Sequence, residues 1–187
     1  MGKTAAIILA AGASTRLGEP KQLVFLGGER LLERAVRVAR DAGCAPVVVL
    51  GANADEVLAG CELGSAHVVR NAAWADGMAS SLRLGIEAVA GEVDAAIVMT
   101  CDQPAVTPDH LRRLMVRCGD RPVASSYAGR RGVPACFPGS GFLELLRLRG
   151  DAGARQLLET AETVELMGGE LDIDTAEDLA TARQLHA

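Results

Sequence analysis

Strand-like runs return along this chain between segments of helical period: "TAAIILA" (4–10), "APVVVLG" (45–51), "AHVVRN" (66–71) and "DAAIVMT" (94–100). Apolar runs without polar alternation suit strands covered on both faces. Between them, "LLERAVRVARDAG" puts Leu32, Ala35, Val36 and Ala39 on one helical face, with Gly43 where a helix ends. Asn53 and Glu56 have capping-box spacing for a short helix, and "MASSLRLGIEAVA" reads as another. Thr107-Pro108 starts a helix that Gly119 ends. "PVASSYA" and "PACF" read as later strands, with helices at 142–148, 152–160 and after "DIDT". Repeated βα units predict an α/β fold of three layers, α/β/α, around a mostly parallel sheet. Ligands of such sheets bind beyond the carboxyl ends of the strands.

With 187 residues the chain is predicted to form one domain, 1–187. Only 3% of residues are aromatic, so the core must be built from Ala, Val, Leu and Ile. The balance of 24 acidic against 19 basic residues disfavours nucleic acid and anionic membrane as partners. The five cysteines include no CxxC pair, which gives neither a zinc site nor a disulfide framework and fits a reducing cytoplasm. The apolar run at the N-terminus is too short to span a bilayer and leads into polar loop chemistry, so it reads as a strand and not a signal peptide.

The loop after the first strand, "LAAGASTRLGEPKQL" (9–23), carries the strongest chemical signal. It lacks the GxxxxGK[ST] of a Walker loop, and Gly12-Ala13-Ser14 breaks the GxGxxG of a dinucleotide fold. Gly12 still allows main-chain N–H groups close to a phosphate, and Ser14 and Thr15 add hydroxyls. Arg16 offers a planar fork and Lys21 a compact charge. The alternative is an ordinary βα turn with surface cations.

Asp102, just past an apolar strand, is placed to hold a hard cation such as Mg2+ or to cap a turn. Its neighbour Cys101 reads as a small buried residue. In "LDIDTAEDL", Asp172 and Asp174 face one side if the segment is extended. One could join Asp102, while Asp174 or Thr175 caps the last helix. In "NAAWADGMASSL", Asn71, Gly77, Ser80 and Ser81 precede or open a helix, either as caps or as ligand contacts. Gly150, Asp151 and Arg155 lie in "GDAGARQLL", where a solvated arginine is the simpler reading. His67, His110 and His186 fall outside these motifs.

The order "LAAGxSxRxGxPKxL" resembles the signature of nucleotidyltransferases that join a nucleoside monophosphate to a phosphorylated acceptor. Together with "WADGMASSLRLGI", "CDQPAVT", "GDAGARQLL" and "DIDTAEDL", it is similar to the molybdenum cofactor cytidylyltransferase group across nearly the whole chain. The resemblance implies a Rossmann-like, glycosyltransferase-A-like nucleotidyltransferase fold. It implies nucleotide binding by Leu9, Ala10, Ala11, Gly12, Ser14, Arg16, Lys21, Asn71, Gly77, Ser80, Ser81 and Asp102. Arg16, Lys21 and Asp102 would be catalytic, Asp102 and Asp174 would hold Mg2+, and Gly150, Asp151 and Arg155 would meet the acceptor. Val133 stands where many relatives have histidine.

The implied reaction is transfer of CMP from CTP to molybdenum-molybdopterin with release of pyrophosphate. The attacking phosphate is already an anion, so no catalytic base is required and none is apparent. Ala11 leans towards cytidine, and a molybdoenzyme of the xanthine dehydrogenase type is the implied recipient. Alternatives are GTP or another acceptor such as a sugar phosphate, a non-catalytic nucleotide or cofactor carrier, and an NAD-dependent oxidoreductase.

Overall fold

The computed structural model describes residues 2–150 and 155–185. The chain runs through β1 (Thr4–Ala10), a hairpin of β2 (Phe25–Leu26) and β3 (Glu29–Arg30), α1 (Leu31–Asp41) and β4 (Ala45–Leu50). Next come α2 (Ala54–Gly60), β5 (His67–Arg70), α3 (Met78–Glu87), β6 (Ala95–Thr100) and α4 (Pro108–Arg117). The last elements are β7 (Val123–Tyr127), β8 (Arg130–Pro138), α5 (Phe142–Arg147), β9 (Glu162–Glu165) and α6 (Ala176–Leu185).

Seven strands form one sheet in the order β5-β4-β1-β6-β8-β7-β9. All pairings are parallel except those of β8, which runs against both β6 and β7. The period-two pleat divides β1 between two cores. Ala6, Ile8 and Ala10 pack with α1, α2 and α4, while Ala5 and Ile7 pack with α3 and α5. This is the expected three-layer sandwich. Gly85 lets α3 lie close to the sheet, because a Cβ there would collide with Ile7. A third cluster joins the hairpin to α6 through Val24, Leu26, Leu31, Ile173 and Leu179. That packing carries the C-terminal aspartates back to the start of the chain.

Two local expectations are corrected, and one strand is new. Asn53 precedes α2 but adopts a left-handed backbone (φ 57°) and makes no side-chain cap bond, so the capping box is not formed. In the stretch expected as a helix over 152–160, residues 152–154 lie outside the described residues and Arg155–Leu158 is a 3-10 turn. Strand β9 was not anticipated.

Candidate active site

β1 and β6 are neighbours with Leu9 opposite Thr100, and the chain leaves them towards opposite edges of the sheet, from β1 to β4 and from β6 to β7. A crevice outside the carboxyl ends of two such strands is where open α/β sheets bind ligands. A cleft of about 370 Å³ lies there. Its floor is Leu9, Ala10, Ala11, Gly12, Thr100, Cys101 and Asp102, and its walls are Lys21, Gln22, Trp74, Gly77, Met78 and Ser81. A Cβ on Gly12 would meet nothing within 4 Å, so this main chain borders open space.

Lys21 is the centre of the site. Its ammonium donates to Asp102 Oδ2 at 2.7 Å and also to Asp174 Oδ1. The lysine and Asp102 side chains are each only 15% exposed. Burial alone would lower the lysine's pKa, but the charges and hydrogen bonds of Asp102 and then Asp174 outweigh it and raise the pKa. Lys21 therefore stays a cation. Arg16 donates to Asp174 Oδ2 at 2.6 Å from a side chain 71% exposed, so that ion pair adds little to stability.

Local hydrogen bonding explains why these groups meet. Ser14, with a left-handed backbone (φ 55°), accepts from Leu17 N and Gly18 N through its carbonyl. Its hydroxyl oxygen accepts from Lys21 N at 3.1 Å, so Ser14 shapes the loop that presents Lys21. Ile173 N donates to Asp102 O at 2.9 Å, which ties the segment bearing Asp174 to the end of β6. Thr175 and Asp178 cap α6 reciprocally, with Thr175 N donating to Asp178 Oδ2 and Asp178 N to Thr175 Oγ1. The Asp174 carboxylate is thus left free to reach Lys21.

Asp172 stays apart from Lys21. Burial, followed by the nearby charge of Asp102, pushes its carboxyl up to about 6, against the pull of Gln103 and Arg130. Cys101 is buried, and burial followed by the Asp102 charge pushes its thiol up, so it is no nucleophile at neutral pH.

The 71–81 loop is an internally satisfied brace. Asn71 Nδ2 donates to Ser80 Oγ (2.8 Å) and Ser81 Oγ (2.9 Å), and Asn71 Oδ1 accepts from Ala73 N. Asn71 and Ser80 are buried and shape the loop, whereas Gly77 (φ 101°) and Ser81 line the cleft. Gly150 O accepts from Ala79 N at 3.0 Å, bringing the expected acceptor segment to the start of α3. Arg155 opens the 3-10 turn, and Asp151 lies outside the described residues.

Two side chains escaped the sequence reading. Gln22, 1% exposed, donates to Ala10 O at 2.7 Å and Gly12 O at 3.4 Å and so holds the glycine loop from within. Arg34 of α1 donates to Pro104 O (2.7 Å) and Val106 O (3.1 Å), clamping the loop that follows Asp102. Only the "KQ" after the proline hinted at the first, and nothing near Arg34 in sequence hinted at the second.

No group of three or more His, Cys, Asp or Glu side chains forms a metal cluster among the described residues. Asp102 and Asp174 nevertheless share one cation, the lysine ammonium, through hard oxygens. That donor set fits a divalent ion which keeps waters and takes further ligands from substrate phosphates.

A mostly parallel sheet that gathers a glycine loop, a lysine and two aspartates at its carboxyl edge is an α/β nucleotidyltransferase fold. The chain belongs to the family described as the MobA-like NTP transferase domain, which matches residues 6–165. It is 35% identical to a nicotine blue oxidoreductase of Paenarthrobacter nicotinovorans, over 96% of this chain and 93% of that one. It is 24% identical to the molybdenum cofactor cytidylyltransferase of Escherichia coli, over 95% and 94%. The crystal structure of Rv0371c from Mycobacterium tuberculosis superposes with a TM-score of 0.87 at 32% identity, covering 97% of this chain and 98% of that one. A complex of Rv0371c with manganese superposes at 0.83, with 30% identity over 97% and 98%.

Proposed function

We propose that this chain transfers CMP from CTP to the phosphate of molybdenum-molybdopterin and releases pyrophosphate. The observation that carries this reading is the Lys21 ammonium held between Asp102 and Asp174 beneath the glycine loop. An acceptor phosphate oxygen attacks the α-phosphorus, a new P–O bond forms, and the bond to the β-phosphate oxygen breaks. The nucleophile arrives as an anion, so the difficulty is charge and alignment, not proton removal.

Main-chain N–H groups around Gly12 face the triphosphate. Arg16 grips phosphate oxygens from the exposed rim, and Lys21 turns from the carboxylates to the charge building on the departing pyrophosphate. Gly77 and Ser81, backed by Asn71 and Ser80, border the base and sugar, and Ala11 inclines the site to cytidine. Gly150, Asp151 and Arg155 serve the acceptor. Asp102 and Asp174 hold Mg2+, which when bound supplies charge neutralisation at the phosphates. The manganese complex of Rv0371c supports a divalent ion here. The product passes to a molybdoenzyme of the xanthine dehydrogenase type in the cytoplasm.

The test is pyrophosphate release with CTP, GTP, ATP or UTP, with and without molybdenum-loaded molybdopterin and Mg2+. Release that needs CTP, cofactor and Mg2+, and disappears in Asp102→Ala, is expected. Another nucleotide in place of CTP overturns the base assignment. The identity to a nicotine blue oxidoreductase favours a second reading, an NAD-dependent oxidoreductase. Nicotinamide nucleotide oxidation without pyrophosphate release would establish that reading instead.

A further inference from the structure

Aromatic side chains are scarce in this chain: one Trp, one Tyr and three Phe. Phe137 and Phe142 are buried in the core. Phe25 lies under the Arg30 guanidinium, 4.6 Å from its ring centroid, and Arg130 covers Tyr127 in the same way at 5.2 Å. Trp74 instead lines the wall of the cleft, 38% exposed, with the apolar Met78 further along the same wall. A large aromatic on the wall of a concave, mostly apolar site is a recognition surface in a way that a scattered surface aromatic is not.

The tryptophan is held in place from several sides. It opens a 3-10 turn, Trp74–Asp76, in which Asp76 N donates to Ala73 O (3.0 Å) and Gly77 N to Trp74 O (3.3 Å). Ala73 is itself fixed, its N–H donating to Asn71 Oδ1 and its carbonyl accepting from Ser80 Oγ at 3.0 Å. The indole stem lies against Gly51, where a Cβ would come within 2.5 Å of Trp74 Cβ and 2.8 Å of its Cγ. The same Cβ would meet Ala11 O at 2.7 Å, so Trp74 is seated beside the main chain that leads into Gly12. Gly51 directly follows β4, which puts this seat on the β4 side of the cleft. Asp102, with Lys21 and Asp174 bonded to it and to each other, follows β6 on the other side.

We propose that Trp74 is the platform on which the base of the bound nucleoside triphosphate stacks, with the polarizable Met78 thioether beside it. The proposal rests on the nucleotide-transfer reading above and adds the residue that takes the base by its face. A nucleotide with its phosphates at the glycine loop and its α-phosphate beside Asp102 directs its base away from the carboxylates, towards β4 and the indole. Stacking accepts any base, because every base has a π-face, so Trp74 supplies affinity and alignment and leaves the choice among bases to polar groups. Because the turn and Gly51 fix the indole before the ligand arrives, little ordering remains to oppose binding. Anchoring the base end in turn limits where the α-phosphorus can lie, which serves the in-line attack.

As the chain's one tryptophan, Trp74 reports on itself. Its emission is followed in the full chain with Mg2+ while CTP, GTP, ATP, UTP or inorganic tripolyphosphate is added, with calorimetry on the same samples. The nucleotide that binds should quench the indole, and tripolyphosphate, which has no ring, should not. Trp74→Leu should bind that nucleotide at least roughly tenfold more weakly, and Trp74→Phe nearer to wild type, with tripolyphosphate affinity the same in all three. Quenching by a purine nucleotide would uphold the platform and overturn the cytidine assignment. Emission unchanged at saturating nucleotide overturns the proposal, and wild-type protein decides this even if a variant fails to fold. So does equal nucleotide affinity in Trp74→Leu and wild type, or an equal loss for nucleotide and tripolyphosphate, which marks the side chain as a prop of the cleft. In those three cases the transfer reading stands. If no nucleoside triphosphate binds the wild-type chain, that reading falls and the platform with it.

Discussion

Lys21→Met should create a tight divalent-cation site where the wild-type chain has a weak one. The lysine ammonium now occupies the position between Asp102 and Asp174, so an ion shared by both carboxylates must first displace it. Hydrogen bonds to charged groups contribute about 1.5–3 kcal/mol each. The Asp174 side chain is 31% exposed, so the lower end applies and the pair is worth about 3 kcal/mol together. Methionine keeps the apolar stem and removes that competition. At about 1.4 kcal/mol per decade, Mn2+ should bind the variant roughly 100-fold more tightly than wild type in the absence of nucleotide. Titration calorimetry or electron paramagnetic resonance of free Mn2+ measures this directly, and adding Asp174→Asn to the variant should abolish the gain. Equal or weaker Mn2+ binding by Lys21→Met would refute the idea that lysine and metal exchange at the two carboxylates.

Lys21→Ala should lower turnover far more than CTP affinity, which single-turnover kinetics and CTP titration separate; a loss confined to affinity would remove its transition-state role. Gln22→Leu releases the carbonyls of Ala10 and Gly12 at about 1 kcal/mol per bond, so calorimetry should find CTP bound up to roughly 30-fold more weakly. Arg34→Leu should cost about 2 kcal/mol in urea denaturation, because two loop carbonyls beside Asp102 lose their donor. His110, buried against Ser125, has its pKa lowered by burial and then Arg113 to about 4, from 6.5 in an open chain. Its contribution is complete above pH 6.5 and is lost as pH falls towards 4, because only the unfolded chain takes up the proton there, at a cost of about 3 kcal/mol. Asp172, raised to about 6, works the other way over part of that range, so denaturation of His110→Gln against wild type from pH 7 to 4 isolates the histidine.

The βα units were legible because a strand buried on both faces needs an unbroken apolar run, as in β1, β4 and β6. Direction in the sheet was not. β8 runs against its neighbours because Arg130 folds back on Tyr127 across a two-residue turn, Ala128 and Gly129, both with left-handed backbone. β9 escaped because Glu162–Glu165 has one buried residue, Val164, and owes its strand state to pairing with β7. The serines after Gly77 were legible as a helix start. That Ser80 turns inward to Asn71 depends on the packing of a loop whose polar groups satisfy one another.

The site shows the same division between local and long-range information. Lys21, Asp102 and Asp174 are 81 and 153 residues apart from lysine to aspartate, yet each carries a local sign. Lys21 ends a glycine loop, Asp102 ends an apolar run, and Asp174 precedes a capped helix. Alternation alone left Asp172 and Asp174 equivalent. The choice between them is made by the cap. Asp178 takes the N–H groups of Asp174 and Thr175, so Asp174 need not spend its carboxylate on its own helix. Ile173, buried between α6 and the hairpin, also donates to Asp102 O, which fixes the side from which residue 174 approaches Lys21. Thr175→Ala should therefore loosen the grip of Asp174 on Lys21 as well as the start of α6. In a Lys21→Met background, that substitution should weaken Mn2+ binding without removing either carboxylate.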